Sequence, residues 1–224
     1  MNYYRESSLG GTDLYNIYRL LETHNPDFLS SIIQLERPEQ ELVARFIPSN
    51  SVVLELGGNY GATAAIINTK LSDKTQHVIV EPEAHFVNTL QSHRGSLNLH
   101  YTTAHGILAK DKEKQVKLWP SCANSRQFVL SELENMIGGS KFTAILADCE
   151  GAFDPILQDF PELLDTIKVI VLENDGGDIQ RVRTTLQNAN FTVVHSQIHP
   201  YWDGNIDSFN RGYLGFHEVW MKIN

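Results

Sequence analysis

Cysteine, long apolar runs and positive charge are all scarce in this chain of 224 residues. The only two cysteines, Cys122 and Cys149, lie far apart and form no C-x-x-C pair. That excludes a disulfide scaffold and a thiolate metal cluster, and reduced thiols are expected. No run approaches the roughly 18 apolar residues of a membrane helix, so no membrane span is expected. Lys and Arg number 18 against 27 Asp and Glu, for a net charge of −9. A nucleic-acid partner needs a basic surface to replace counterions, so none is expected. The lysine-rich stretch Lys110–Lys117 is interleaved with Asp111 and Glu113 and reads as a solvated turn. Met1–Glu6 lacks the apolar core of a signal peptide, which makes the cytoplasm the expected address. There is no internal repeat and no low-complexity segment.

What is present is a change of pattern near residue 49. Residues 1–48 read as a helical extension. Asp13 can cap a helix carrying Leu14, Ile17, Tyr18 and Leu21, and Asp27 a shorter one through Phe28 and Ile32. Pro38 suits the first position of a third helix, with Leu42, Val43 and Phe46 inward and Pro48 as its stop. These helices are open to two roles, closing a cofactor pocket or forming a homodimer surface. Residues 49–224 alternate short apolar runs with helical stretches. Strands are expected at 52–56, 77–80, 98–102, 143–147, 169–172, 192–195 and 216–221. Helices are expected at 62–71, 84–93, 153–160 and 179–188. That alternation implies a Rossmann-like, mostly parallel sheet covered on both faces. No helix separates the last two strands, so they should form a hairpin and make the final strand antiparallel.

The run Val52-Val53-Leu54-Glu55-Leu56-Gly57-Gly58-Asn59-Tyr60-Gly61 is a buried strand, a glycine turn and the start of a helix. Bare backbone at such a turn can approach a ligand closely. Glu81 ends the next strand in Val80-Glu81-Pro82-Glu83 and can accept hydrogen bonds from ribose hydroxyls. Nucleotide cofactors and S-adenosylmethionine both use this arrangement. The glycines at 57, 58 and 61 miss the G-x-G-x-x-G spacing that admits a pyrophosphate. Carboxylates at 55 and 81 favour a ligand carrying a sulfonium and an ammonium.

Glu55-Leu56-Gly57-Gly58-Asn59-Tyr60-Gly61, Val80-Glu81-Pro82-Glu83 and Asp148-Cys149-Glu150-Gly151, in that order, resemble the FkbM family of S-adenosylmethionine-dependent methyltransferases. The resemblance spans about residues 50 to 195, and it implies a class I methyltransferase fold with seven strands, the last antiparallel. It also implies that Glu55, Gly57, Asn59, Gly61 and Glu81 bind S-adenosyl-L-methionine. Two positions depart from the family pattern: Leu146 stands where a lysine is usual, and Phe153 where a glutamate is frequent. Both departures bear on the acceptor side.

Methyl transfer from a sulfonium is an in-line displacement in which the protein mainly aligns two reactants. An alcohol acceptor needs a general base or a metal to lose its proton at neutral pH. Asp148 and Glu150 at one strand tip are the candidate catalytic residues. Asp148 with Glu173 and Asn174 at the next tip resembles the oxygen-ligand set of catechol-type, metal-dependent O-methyltransferases, which implies Mg2+. His105-Gly106, after the third strand, would lie near the adenine. His195 and His199, four apart on an extended strand, are too distant to share an ion, and His217 reads as structural. Tyr201 and Trp202 lie in a polar loop that can stack on an acceptor or plug the sheet edge. The expected activity is O-methylation of a small molecule or a sugar or glycan. The competing expectations are an NAD(P)-dependent oxidoreductase or epimerase, and a binding module that has lost its chemistry.

Overall fold

The computed structural model describes residues 37–174, 176–197 and 216–223, together with Ile17 and Arg19. Of the expected helix capped by Asp13 only Ile17 and Arg19 are described, both helical, with Ile17 buried in the core. The Asp27 helix and the loop bearing His199, Tyr201 and Trp202 lie outside the described residues.

Seven strands form one sheet. They are β1 (Val53–Leu56), β2 (His77–Glu81), β3 (Thr102–His105), β6 (Ala144–Ala147), β7 (Val169–Glu173), β8 (Phe191–Gln197) and β9 (His217–Lys222). A separate two-stranded piece is made by β4 (Ile107–Leu108) and β5 (Gln127–Phe128). The large sheet runs in the order β3-β2-β1-β6-β7-β9-β8, and β9 is antiparallel to both of its neighbours. That is the expected class I methyltransferase architecture. β1 is nearly all apolar and wholly buried because helices cover both faces of the sheet.

One face is closed by α1 (Arg37–Phe46) and α2 (Ala62–Lys70), which pack Leu42, Val43, Ile66 and Ile67 onto Val53, Ile79, Leu146 and Val171. α3 (Ala84–Ser96) contributes Leu90 to the same cluster. The other face is closed by α6 (Phe153–Asp159), α7 (Leu163–Thr166) and α8 (Ile179–Asn188). They pack Phe153, Ile156, Leu163 and Leu186 onto Leu54, Val80, Ile145 and Ile170. Buried Glu218 anchors β9, accepting from Arg183 at 2.5 Å and from the Trp220 indole at 3.0 Å.

Two expectations need correction. The third strand begins at Thr102 rather than Asn98. α3 runs on to Ser96, and Asn98 takes a left-handed φ of 52° that interrupts an extended chain. Leu99 and Tyr101 are buried but precede the ladder, so their apolar character marks core rather than strand. Nor is 110–117 merely a solvated turn. It contains the short helix α4 (Glu113–Val116), whose buried Gln115 donates to the Leu108 carbonyl at 2.6 Å. Lys114 pairs with Asp159. A 3-10 turn (Pro120–Asn124) and α5 (Leu130–Asn135) complete the insert between β3 and β6. Among the described residues no helix is long and apolar enough to cross a membrane.

Candidate functional site

A cleft of about 310 Å³ opens at the carboxyl ends of β1, β2 and β6. Parallel sheets present ligand sites there because the strand-to-helix loops converge. Its walls include Gly57 and Asn59 after β1, Glu81 and Glu83 after β2, Gly106 after β3, and Asp148, Cys149 and Glu150 after β6.

Gly57 is required by a close backbone crossing. Its φ is +88°, and a Cβ there would sit 1.7 Å from the Asp148 carbonyl oxygen. The β1 and β6 loops therefore touch through bare backbone, which sets the cleft floor. Gly151 serves the neighbouring loop in the same way: its φ is +80°, and a Cβ would meet the Gly177 amide nitrogen at 2.4 Å. Between these crossings Glu150 holds a φ of +53°. That region is costly for a non-glycine residue, on the order of 1–3 kcal/mol, and persists where the surroundings over-determine it.

Glu81 organises one end of the cleft. The backbone amides of Gly58 and Asn59 donate to its Oε2 at 3.0 and 2.9 Å, and the Glu83 amide donates to Oε1 at 2.8 Å. Burial pushes the Glu81 carboxyl up from its ordinary value, against the downward pull of these three amide bonds. An ionised carboxylate offers about four acceptor sites, so roughly one remains for a ligand. Those loop amides are the groups a pyrophosphate would require, and Glu81 already occupies them.

Glu55, the other strand-end acid, does not reach this cleft. It is fully buried on the α2 side, where the Thr63 hydroxyl donates to Oε1 at 2.6 Å and His77 Nε2 lies 2.8 Å from Oε2. Its role is to bind β1 to β2 and α2. Leu146 stands beside Glu55 in the strand register and is wholly buried. Phe153 is likewise buried in the core. Both departures from the family pattern therefore lie in the sheet's packing and not on the cleft surface. Gly61 is set back as the N-cap of α2, where its φ of 88° turns the chain. His105 is exposed at the end of β3, opposite Glu81 in register, and Gly106 rather than His105 lines the cleft.

Beside the cleft, Asp148 and Glu173 stand at the adjacent tips of β6 and β7, and Asp148 lines the cleft. Glu39 joins them from α1, and the three carboxylates approach within 4.8 Å of one another. His217 Nε2 lies 3.8 Å from Glu173. Asn174 is buried beside this cluster in sequence, and its amide donates to the Phe216 carbonyl at 2.7 Å. Three hard oxygen donors suit a divalent cation of the Mg2+ or Ca2+ class. Glu39 had no signal in the sequence, where it is one more acid in the first turn of a surface-like helix.

No protein-family model matches the chain, and no curated protein matches it in sequence. Solved structures do match its fold. A Bacillus cereus O-methyltransferase in complex with SAH is 15% identical, with 93% of this chain and 91% of that one covered and a TM-score of 0.51. A Klebsiella pneumoniae protein described as a candidate O-methyltransferase is 14% identical over 92% and 90% of the two chains, with a TM-score of 0.52. Magnesium protoporphyrin IX methyltransferase from Synechocystis PCC 6803, with bound SAH, is 9% identical over 85% and 84%, with a TM-score of 0.51. The chain has the class I methyltransferase fold.

Proposed function

We propose that this protein is an S-adenosylmethionine-dependent methyltransferase of the FkbM type that methylates a hydroxyl oxygen on a small molecule or glycan. The observation that carries this reading is the engagement of the Gly58 and Asn59 amides by Glu81. A dinucleotide would have to displace a buried carboxylate to seat its pyrophosphate. An adenosine thioether needs only the ribose-facing oxygen of Glu81 and neighbouring acids for its positive charges.

Bound in this cleft, S-adenosylmethionine supplies a methyl group on a sulfonium, ready for in-line displacement. Glu81 and the Asn59 loop hold the adenosine end. Asp148 accepts the proton of the acceptor hydroxyl, and Glu150, held by its strained backbone, orients that hydroxyl or the donor's amino end. The net charge of −9 favours a neutral or cationic acceptor over RNA.

A metal-assisted version is favoured by one observation, the approach of Glu39 to Asp148 and Glu173. These residues, with Asn174 beside them, would hold a divalent ion, which would supply a lowered pKa to a coordinated hydroxyl. Calorimetry with SAH and with NAD tests the central reading: micromolar SAH binding with no NAD binding is expected, and the reverse overturns it. A labelled-methyl screen against hydroxyl compounds and glycans then tests turnover. SAH binding with no acceptor across a broad panel identifies a binding module instead. Activity unchanged in EDTA removes the metal-assisted version.

A further inference from the structure

The insert between β3 and β6 performs work that the site described above does not require. It brings Ile107, Leu108, Gln115, Trp119 and Cys122 to the same cleft, opposite Phe86 of α3. Trp119 is 41% exposed and lines the cleft, so its ring can meet a ligand there. Its indole N–H donates to Glu83 Oε1 at 3.3 Å, and the Ser121 hydroxyl donates to the same oxygen. These bonds hold the Glu83 carboxyl below its ordinary range. Glu83 is thereby committed to the insert, while Glu81, two residues earlier, is committed to the glycine loop.

We propose that Trp119, latched by Glu83 and Ser121, is the adenine-clamping residue of this cleft. The inference rests on the methyltransferase reading. The chemistry is that of a purine site: flat aromatic and aliphatic walls from Phe86, Trp119, Ile107 and Leu108 accept the ring. Glu81 at the edge of those walls accepts the ribose hydroxyls. The latch holds the indole over the cleft before ligand arrives, which lowers the ordering cost of binding. Gln115, pinned to the Leu108 carbonyl, fixes the base of the insert on which Trp119 rides.

The test is calorimetric binding of SAH and of adenosine to the wild-type chain and to Trp119→Ala, Trp119→Phe and Glu83→Ala, with circular dichroism to verify folding. Base–aromatic stacking sets the expected scale: Trp119→Ala should weaken both ligands about tenfold. Trp119→Phe keeps a ring but loses the latch, and should cost about threefold, as should Glu83→Ala. Tryptophan fluorescence should change on SAH addition to the wild type and lose most of that change in Trp119→Phe. Unchanged affinities in Trp119→Ala and Glu83→Ala, with SAH still bound by the wild type, overturn the clamp and leave the methyltransferase reading standing. Weakened SAH with unaltered adenosine places Trp119 at the amino-acid end and overturns the adenine assignment. A wild-type chain that binds no SAH overturns both.

Discussion

The two ends of the cleft handle negative charge in opposite ways. At the adenosine end, Glu81 and Glu83 are each satisfied by donors from their own surroundings, three backbone amides for one and Ser121 and Trp119 for the other. At the reacting end, Glu39, Asp148 and Glu173 crowd within 4.8 Å of one another, with His217 alongside. Satisfied carboxylates make a rigid template that recognises an uncharged ligand by shape and hydrogen bonding. Ionised carboxylates this close repel each other, and a proton, a cation or a hydrogen-bond donor relieves them. That is the property wanted where a proton must leave a hydroxyl. On the proposed reading, one end holds the ligand and the other reacts.

The comparison breaks most sharply at Asp148. Asp148→Ala should lower kcat about 10²–10⁴-fold with an accepted hydroxyl substrate, while SAH affinity stays within about threefold. A large loss of SAH affinity with kcat unaffected would make Asp148 a binding residue and erase the distinction. Next in size is Glu55→Ala, which leaves Thr63 and His77 without their buried partner. It should cost about 2–4 kcal/mol in urea unfolding, with SAH affinity nearly unchanged. A Kd shift without a stability loss would return Glu55 to the ligand. Glu81→Ala removes a charged acceptor and frees the loop amides, so SAH should bind about 10–100-fold more weakly. The same variant should gain measurable affinity for NAD if those amides are what exclude a pyrophosphate, and calorimetry reads both. The smallest effect concerns the thiols. Half-buried Cys149 lines the cleft and should be alkylated more slowly when SAH is bound. Burial pushes the Cys122 thiol up, so it should react slowest of all with or without ligand.

Much of the fold was legible along the chain. The helices at 62–70 and 179–188 and the strands at 53–56, 144–147 and 169–173 follow from apolar runs of the right length, broken by glycine and acidic loops. The antiparallel pairing of β9 followed from the Pro-, Gly-, Asn- and Asp-rich sequence, with no helical pattern, between the last two strands. The insert left no pattern because its strands are two residues long and its helices four and six. Elements that short carry no periodicity, and they hold their shape through side-chain bonds such as Gln115 to Leu108.

The candidate site was legible only in part, and the two strand-end acids explain why. Glu55 and Glu81 looked alike, each closing a buried strand beside a glycine or proline turn. Because helices cover both faces of this sheet, β1 lacks the polar–apolar alternation that would mark an outward side. Only Thr63 from α2 and His77 from β2, both bonded to Glu55, decided that it faces inward. Glu39 and Trp119 reach the site from segments more than a hundred and about thirty positions away from Asp148, roughly, so no local spacing could have joined them to it. By itself the sequence determined the order of elements and the glycine turn after β1. The meeting of Gly57 with the Asp148 backbone and of Gly151 with that of Gly177 joins distant segments and came from tertiary structure. Which carboxylates meet the ligand was decided by tertiary packing, because the burial of a charge depends on what covers it from elsewhere in the chain.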